Sequence, residues 1–222
     1  MIPNDFSSAI YNFSLAFIPA IFGIICHEVA HGWVAYKQGD PTAKMLGRLT
    51  LNPLPHIDPM GLAVFVLTAI ASPFVIGWAK PVPVNPRYFK HPREGMVFVS
   101  VAGPMANFLV ALLCACLVRL ITVFFTPTPA DTVLTFVLTS ASVGIWINCT
   151  LAWFNLMPVP PLDGSHIVAG LLPASWADAY QRLGQYGMFI IIGFLYFGLF
   201  SRVLRPLVRD SVDVIHFLAT FL

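Results

Sequence analysis

Two histidines and a glutamate stand together in the run Cys26-His27-Glu28-Val29-Ala30-His31-Gly32, inside an otherwise apolar stretch. Between Asp5 and Lys37 they are the only Asp, Glu, His, Lys or Arg side chains. Ionisable groups in an apolar span are costly to hold and mark a functional site. In a helix His27 and His31 are one turn apart, at i and i+4, so both imidazoles project from one face and can share a metal ion. Glu28 lies beside them, able to take a proton from a water on that metal, which is the chemistry of metal-assisted hydrolysis. The bland alternative is a pair of histidines satisfied by hydrogen bonds within a helix bundle.

Composition decides what must carry this set. Of 222 residues, 58% are hydrophobic and 10% charged, with 19 Phe, against roughly 25% charged residues in a soluble domain. An integral membrane protein is expected, because several apolar runs reach the roughly 20 residues that a helix needs to cross a bilayer. The net charge of +2 comes from scattered residues, so no nucleic-acid partner is indicated. Cys26, Cys114, Cys116 and Cys149 sit in apolar runs without the paired spacing of a zinc knuckle or a disulfide framework, and read as small core residues. The first apolar run lacks the basic leading region of a signal peptide.

The first helix is expected over 7–36, ended by the breakers Gly39-Asp40-Pro41. Residues 43–55 alternate apolar and polar around Gly47 and Arg48, which predicts a short hairpin or extended segment able to offer a strand edge to an extended substrate. The run 59–78 is apolar but broken at Ser72-Pro73, so it either crosses or dips back. A proline-rich loop follows to about Gly95, with Lys80, Arg87, Lys90 and Arg93 against one acid, Glu94, which favours the cytoplasmic side. A long helix is expected over 96–125, where Ala102, Gly103 and Ala106 allow close approach of a neighbour and Asn107 can bond across it. After a connection at 126–131 without basic residues, a further helix over 132–157 carries Asn148 and Asn155 on roughly one face. Pro158, Pro160 and Pro161 then unwind the chain before Asp163. A short apolar piece over 167–172, a last span over 183–201 and an interfacial tail carrying Arg202, Arg205, Arg209, Asp210 and Asp213 complete it.

Basic residues place the end of the first helix and the 79–95 loop inside and the 126–131 turn outside, which makes 59–78 re-entrant. A final span running outward would leave Arg202, Arg205 and Arg209 on the wrong side, so the rule does not satisfy every loop. The resulting fold class is an all-α integral membrane protein, a bundle of about four to six membrane segments with a short re-entrant hairpin after the first helix. A single membrane-embedded domain is expected over 1–222, with its core at 7–172 and a C-terminal helix and tail at 183–222.

A catalytic zinc site takes three protein ligands and keeps one position open. A third histidine ten positions after His27 is excluded, because Lys37 and Val34 stand where the extended pattern needs His and Gly. Glu28 and Glu94 are the sole glutamates, and Glu94 lies in the basic loop. Asp163 is the better choice, an acid between apolar segments, 136 positions downstream of His27. Its other reading is a turn or helix cap before Gly164. His166 suits a hydrogen bond or water contact better than a fourth ligand that would close the site. His56, His91 and His216 read as bland. Pairing Asp163 with His27 requires the first helix to pack against the end of the 132–157 helix.

The ordered set HEVAH at 27–31, GWAKPVPVNP at 77–86, AGPMAN at 102–107 and NLMPVPPLDG at 155–164 resembles the site-2 protease family of intramembrane zinc metalloproteases. The resemblance spans roughly 15–172 and is more specific than the histidine motif alone. It implies one catalytic zinc ion held by His27, His31 and Asp163, Glu28 as the catalytic base, a transmembrane protein substrate, and a lipid bilayer as surroundings. It implies a multi-pass protein of the cell (inner) membrane of a prokaryote. Asn107 and Asn155 match polar positions of the family motifs and either hold substrate backbone or join helices. The chain departs from many relatives in leaving no room for a PDZ or CBS domain, and in placing His166 where Arg is frequent. Two rival readings remain: a membrane zinc transporter or sensor, which needs polar ligands continuing across the bilayer beyond His27, and a catalytically inactive membrane binding protein, against which Glu28 argues.

Overall fold

The computed structural model describes residues 6–71, 79–125 and 131–221. Its helices are α1 (Phe6–Lys37), α2 (Thr42–Met45), α3 (Pro59–Ala71), α4 (Pro92–Phe124), α5 (Thr132–Asn155), α6 (Asp163–Leu171), α7 (Ala174–Gln181), α8 (Gly187–Tyr196) and α9 (Leu199–Ala219). No strand occurs among the described residues. Three helices, α1, α4 and α5, are long and apolar enough to cross a membrane. The break at 72–78 and most of the connection at 126–131 lie outside the described residues, as do Gly77 and Trp78 of the proline-rich motif.

The three long helices pack on one another, and polar groups inside the stack set their register. Ser140 Oγ of α5 donates to Leu15 O of α1 at 3.0 Å. Ala111, Ala115, Ile145 and Cys149 of α4 and α5 form a buried cluster, closed by Val208, Val212, Ile215 and Ala219 of the amphipathic α9. Trp153 Nε1 of α5 donates to Ser211 Oγ of α9 at 2.9 Å, which keeps a buried indole N–H paired.

Several elements differ from the sequence reading. Residues 43–55 form no hairpin: they hold α2, a turn at Gly47 with φ +65 and a short 3-10 turn at Leu54–His56. The alternation misled because Arg48 is a polar position turned inward, 6% exposed, where its Nη2 donates to Lys80 O at 2.6 Å. Helix α4 begins at Pro92, earlier than 96, with Pro at its start and Glu94 in its first turn, both of which suit a helix N-terminus. The apolar run 183–201 is not one span: a 3-10 turn over Arg182–Tyr186 precedes the ten-residue α8, and Gly198 at φ +66 separates α8 from α9. Among the described residues α3 spans 13 residues, about 20 Å at the helical rise.

Past the end of α1 the chain is tied down by Asp40, which is fully buried. Its carboxylate accepts from Asn85 N at 2.6 Å, from Thr42 N at 2.9 Å and from the Thr42 hydroxyl. Burial pushes the Asp40 carboxyl up, and these hydrogen bonds outweigh it, so it lies below the usual carboxylate range. The ionised form is therefore the one that joins residues 40–42 to the 79–85 segment. The stability it adds is full above the unfolded value of about 3.9 and is lost as pH falls through the lower folded value. Asp40→Asn should lower the melting temperature of the purified protein at pH 6, and the gap to wild type should narrow as pH falls below about 3.9. A gap that stays constant over that range contradicts the assignment.

Candidate metal centre

Helix α1 carries His27 and His31 one turn apart, 7% and 9% exposed. Each ring is fixed through Nδ1. His27 Nδ1 lies 2.7 Å from Asn107 Oδ1 of α4, and His31 Nδ1 lies 2.7 Å from the Val99 carbonyl of the same helix. A carbonyl oxygen only accepts, so His31 Nδ1 carries the proton. The Asn107 Nδ2 amide donates to Gly23 O at 3.1 Å and to Asn148 Oδ1 at 3.0 Å, which leaves Oδ1 as the acceptor and puts the His27 proton on Nδ1 as well. Both Nε2 atoms of the neutral rings then bear lone pairs, and they face each other at 2.9 Å.

Asp163 enters the same space from the start of α6. Its Oδ2 lies 3.1 Å from His27 Nε2 and 3.4 Å from His31 Nε2. The helix is not capped by a side chain; the carboxylate turns to the imidazoles instead. Asp163 Oδ2 is buried and has no hydrogen-bond partner. Two lone pairs and a carboxylate oxygen gathered this closely repel one another unless a cation lies among them. A tetrahedral zinc with bonds of about 2.0–2.1 Å sets its ligand atoms roughly 3.3 Å apart; the observed 3.4 Å meets that spacing, and 3.1 and 2.9 Å lie somewhat inside it. His27, His31 and Asp163 are the group of potential metal ligands among the described residues.

Neighbouring elements hold this geometry. Arg93 Nη2, in the first turn of α4, donates to Ala169 O at 2.9 Å and to Leu172 O, so it caps the far end of α6 and anchors the helix that presents Asp163. Gly103 of α4 forms the floor: a Cβ there would lie 2.5 Å from His31 Cε1 and 2.6 Å from His27 Cε1 and Nε2. The small residue in the AGPMAN run is thus a seat for the two imidazole rings.

Glu28 is half-buried, and its Oε2 accepts from the Val82 backbone N–H at 2.7 Å. The segment around Val82 is held from behind. Arg48 Nη2 donates to Lys80 O and Pro81 O, and Lys80 N donates to His56 O at 2.8 Å. Each residue before a proline avoids the helical region, so Lys80, Val82 and Asn85, which precede Pro81, Pro83 and Pro86, keep this stretch extended against α1.

Asn155 closes α5 and donates back to Leu151 O at 3.0 Å; among the described residues no hydrogen bond joins it to His27, Glu28, His31 or Asp163. His166 Nδ1 stands 3.4 Å from Gln181 Nε2 of α7, and burial pushes its pKa down. The four cysteines are free, and none joins the ligand group. Sequence reasoning passed over Val82, whose contribution is a backbone N–H without a side-chain signature. It also passed over Asn148 as a partner of Asn107; two asparagines in facing apolar helices were the available signal.

Residues 15–198 match the model of peptidase family M50. The chain belongs to that family. This agrees with the site-2 protease resemblance of its motifs. Among relatives, YwhC of Bacillus subtilis, by its name a candidate zinc metalloprotease, is 38% identical over 206 residues, 88% of this chain and 87% of that protein. Rip2 of Mycolicibacterium smegmatis, named in the same way, is 30% identical over 175 residues, and this chain spans 62% of its length. Zinc metalloprotease MJ0392 of Methanocaldococcus jannaschii is 23% identical over 190 residues, and this chain spans 44% of it. No solved structure matches the chain. In this M50 member Gly103→Ala should push the ligand rings apart and lower the affinity for zinc by about tenfold or more, the usual cost of disturbing a ligand's support. Chelator competition on purified protein checks this, with circular dichroism to confirm retained helix; unaltered affinity contradicts the seat.

Proposed function

We propose that this M50 member is an integral-membrane zinc metalloendopeptidase that hydrolyses peptide bonds of transmembrane substrates within or at the edge of the bilayer. The convergence of His27 Nε2, His31 Nε2 and Asp163 Oδ2 beside Glu28 carries the reading. The zinc metalloprotease names of its relatives support the choice of metal. The three long apolar helices support a multi-pass protein, and the bacterial relatives support the cell membrane of a prokaryote.

His27, His31 and Asp163 would hold the zinc ion, which would supply Lewis acidity towards a water and the scissile carbonyl. Glu28 accepts the water proton and delivers it to the leaving amine. The Val82 N–H holds Oε2 of Glu28, which orients the carboxylate and leaves Oε1 as the proton acceptor. Asn107 acts on His27, and Asn155, the last residue of α5, would hold substrate backbone.

A transmembrane helix is cleaved only after local unwinding, since its carbonyls are otherwise held in intrahelical bonds. The unwound strand needs a partner edge, and the 79–85 segment offers one in place of 43–55. Pro81 and Pro83 have no N–H to give and the Val82 N–H is spent on Glu28, so Val84 is the donor left to a strand. The Val84 N–H has no partner among the described residues.

Glu28→Gln should retain stoichiometric zinc and lower cleavage of a single-span reporter by at least about a hundredfold, the contribution of a general base. Unchanged cleavage by that variant removes the mechanism. A wild-type protein that binds zinc and cleaves nothing favours the binding-only reading.

A further inference from the structure

Asn148 lies in the middle of α5, is fully buried and touches no metal ligand. Every polar atom of its side chain is nevertheless committed. Its Nδ2 donates to Gly144 O at 2.9 Å and to Pro19 O at 3.4 Å. Two carbonyls can only accept, so the amide orientation is fixed and Oδ1 is left as the acceptor. That oxygen takes the Asn107 Nδ2 proton at 3.0 Å, and the same Asn107 amino group also reaches Gly23 O at 3.1 Å. Asn107 Oδ1 then faces His27 Nδ1 at 2.7 Å. The chain closes around Gly23, where a Cβ would lie 2.0 Å from Asn148 Oδ1.

The geometry points to Asn148 as a positioning residue that, through Asn107, selects Nε2 of His27 as its ligand atom. This rests on the zinc reading above and adds the device that prepares one ligand for the metal. The logic is directional. A free imidazole can bind a metal through either nitrogen, and the hydrogen bond made by one nitrogen decides which is left. An isolated Asn107 can rotate its amide by half a turn and present Nδ2 to His27, which would invite the Nδ1 lone pair and turn the wrong nitrogen to the metal. Asn148 opposes that rotation together with the Gly23 carbonyl, because a turned Asn107 would set its oxygen against both of these oxygens. The fixed carbonyls of α1 and α5 at Pro19, Gly23 and Gly144 thereby dictate a proton position on α1 through α4, and the three long helices must be in register before the site can take zinc.

The test compares Asn148→Ala and the similarly sized Asn148→Leu with Ser140→Ala, which deletes another buried α1–α5 hydrogen bond outside the relay. Two readouts are taken on purified protein: zinc affinity by chelator competition, and the His27 Nδ1–H resonance of the zinc-loaded form in a sample labelled with nitrogen-15 at histidine. The wild type should show a slowly exchanging Nδ1–H on His27. Either Asn148 variant should weaken zinc binding by about tenfold, within the range for ligand-support residues, and speed exchange of that proton. Ser140→Ala should change neither. Wild-type affinity and exchange in a folded Asn148 variant overturn the inference, as do equal losses in Ser140→Ala, which would mark general packing. Rapid exchange of the wild-type His27 Nδ1–H overturns it without any variant. A wild type that binds no zinc overturns the metalloprotease reading instead; in that case a His27 Nδ1–H that still exchanges slowly in the metal-free protein upholds the relay.

Discussion

The fold is arranged around a repulsion. Two imidazole nitrogens and a carboxylate oxygen are pressed within 2.9–3.4 Å of one another, in surroundings that offer little water to screen them. Hydrogen bonds behind the rings forbid relief by rotation, since both Nδ1 positions are spent on acceptors of α4. Such an arrangement persists because the rest of the chain holds it in place, and a cation converts its cost into binding energy.

Each long helix contributes one part of that constraint. Helix α1 supplies the two imidazoles and Glu28 within a single turn. Helix α4 supplies a glycine floor and two acceptors, which is why one short run of it contains Gly103 and Asn107. Helix α5 both steadies the asparagine pair and delivers the chain, through the prolines at 158, 160 and 161, to Asp163 at the start of α6. A carboxylate at a helix N-terminus is stabilised by the helix dipole, so Asp163 can stay ionised while it points away from its own backbone. The apolar surface of α4 and α5 behind this is covered by α9, whose charged face turns outward.

Much of the candidate site was legible in the sequence because its proposed ligands are rare residue types in an apolar background. His27, Glu28 and His31 stood out by spacing, and Asp163 by the scarcity of other acids. The residues that orient them were harder to read. Gly103 and Asn107 could be recognised as helix-contact residues, but which partner they touch depends on three helices meeting. Asn148 looked like one more polar residue in a span, and the Val82 contribution is a main-chain N–H that any residue but proline would supply. Errors in the fold have the same origin. Alternation around Arg48 suggests an exposed polar edge, yet the guanidinium is drawn inward by the carbonyls of Lys80 and Pro81. The run 183–201 is uniformly apolar, and only the backbone freedom of Gly198 reveals that the chain turns there.

His27, His31 and Asp163 are proposed to form one zinc site. X-ray absorption at the zinc edge of the purified, zinc-loaded protein reads its ligand shell. One zinc per chain with two imidazole ligands and one carboxylate is expected, with loss of the carboxylate contribution in Asp163→Ala. A sulfur ligand, or full zinc occupancy with an unchanged ligand shell after His27→Ala, would contradict it.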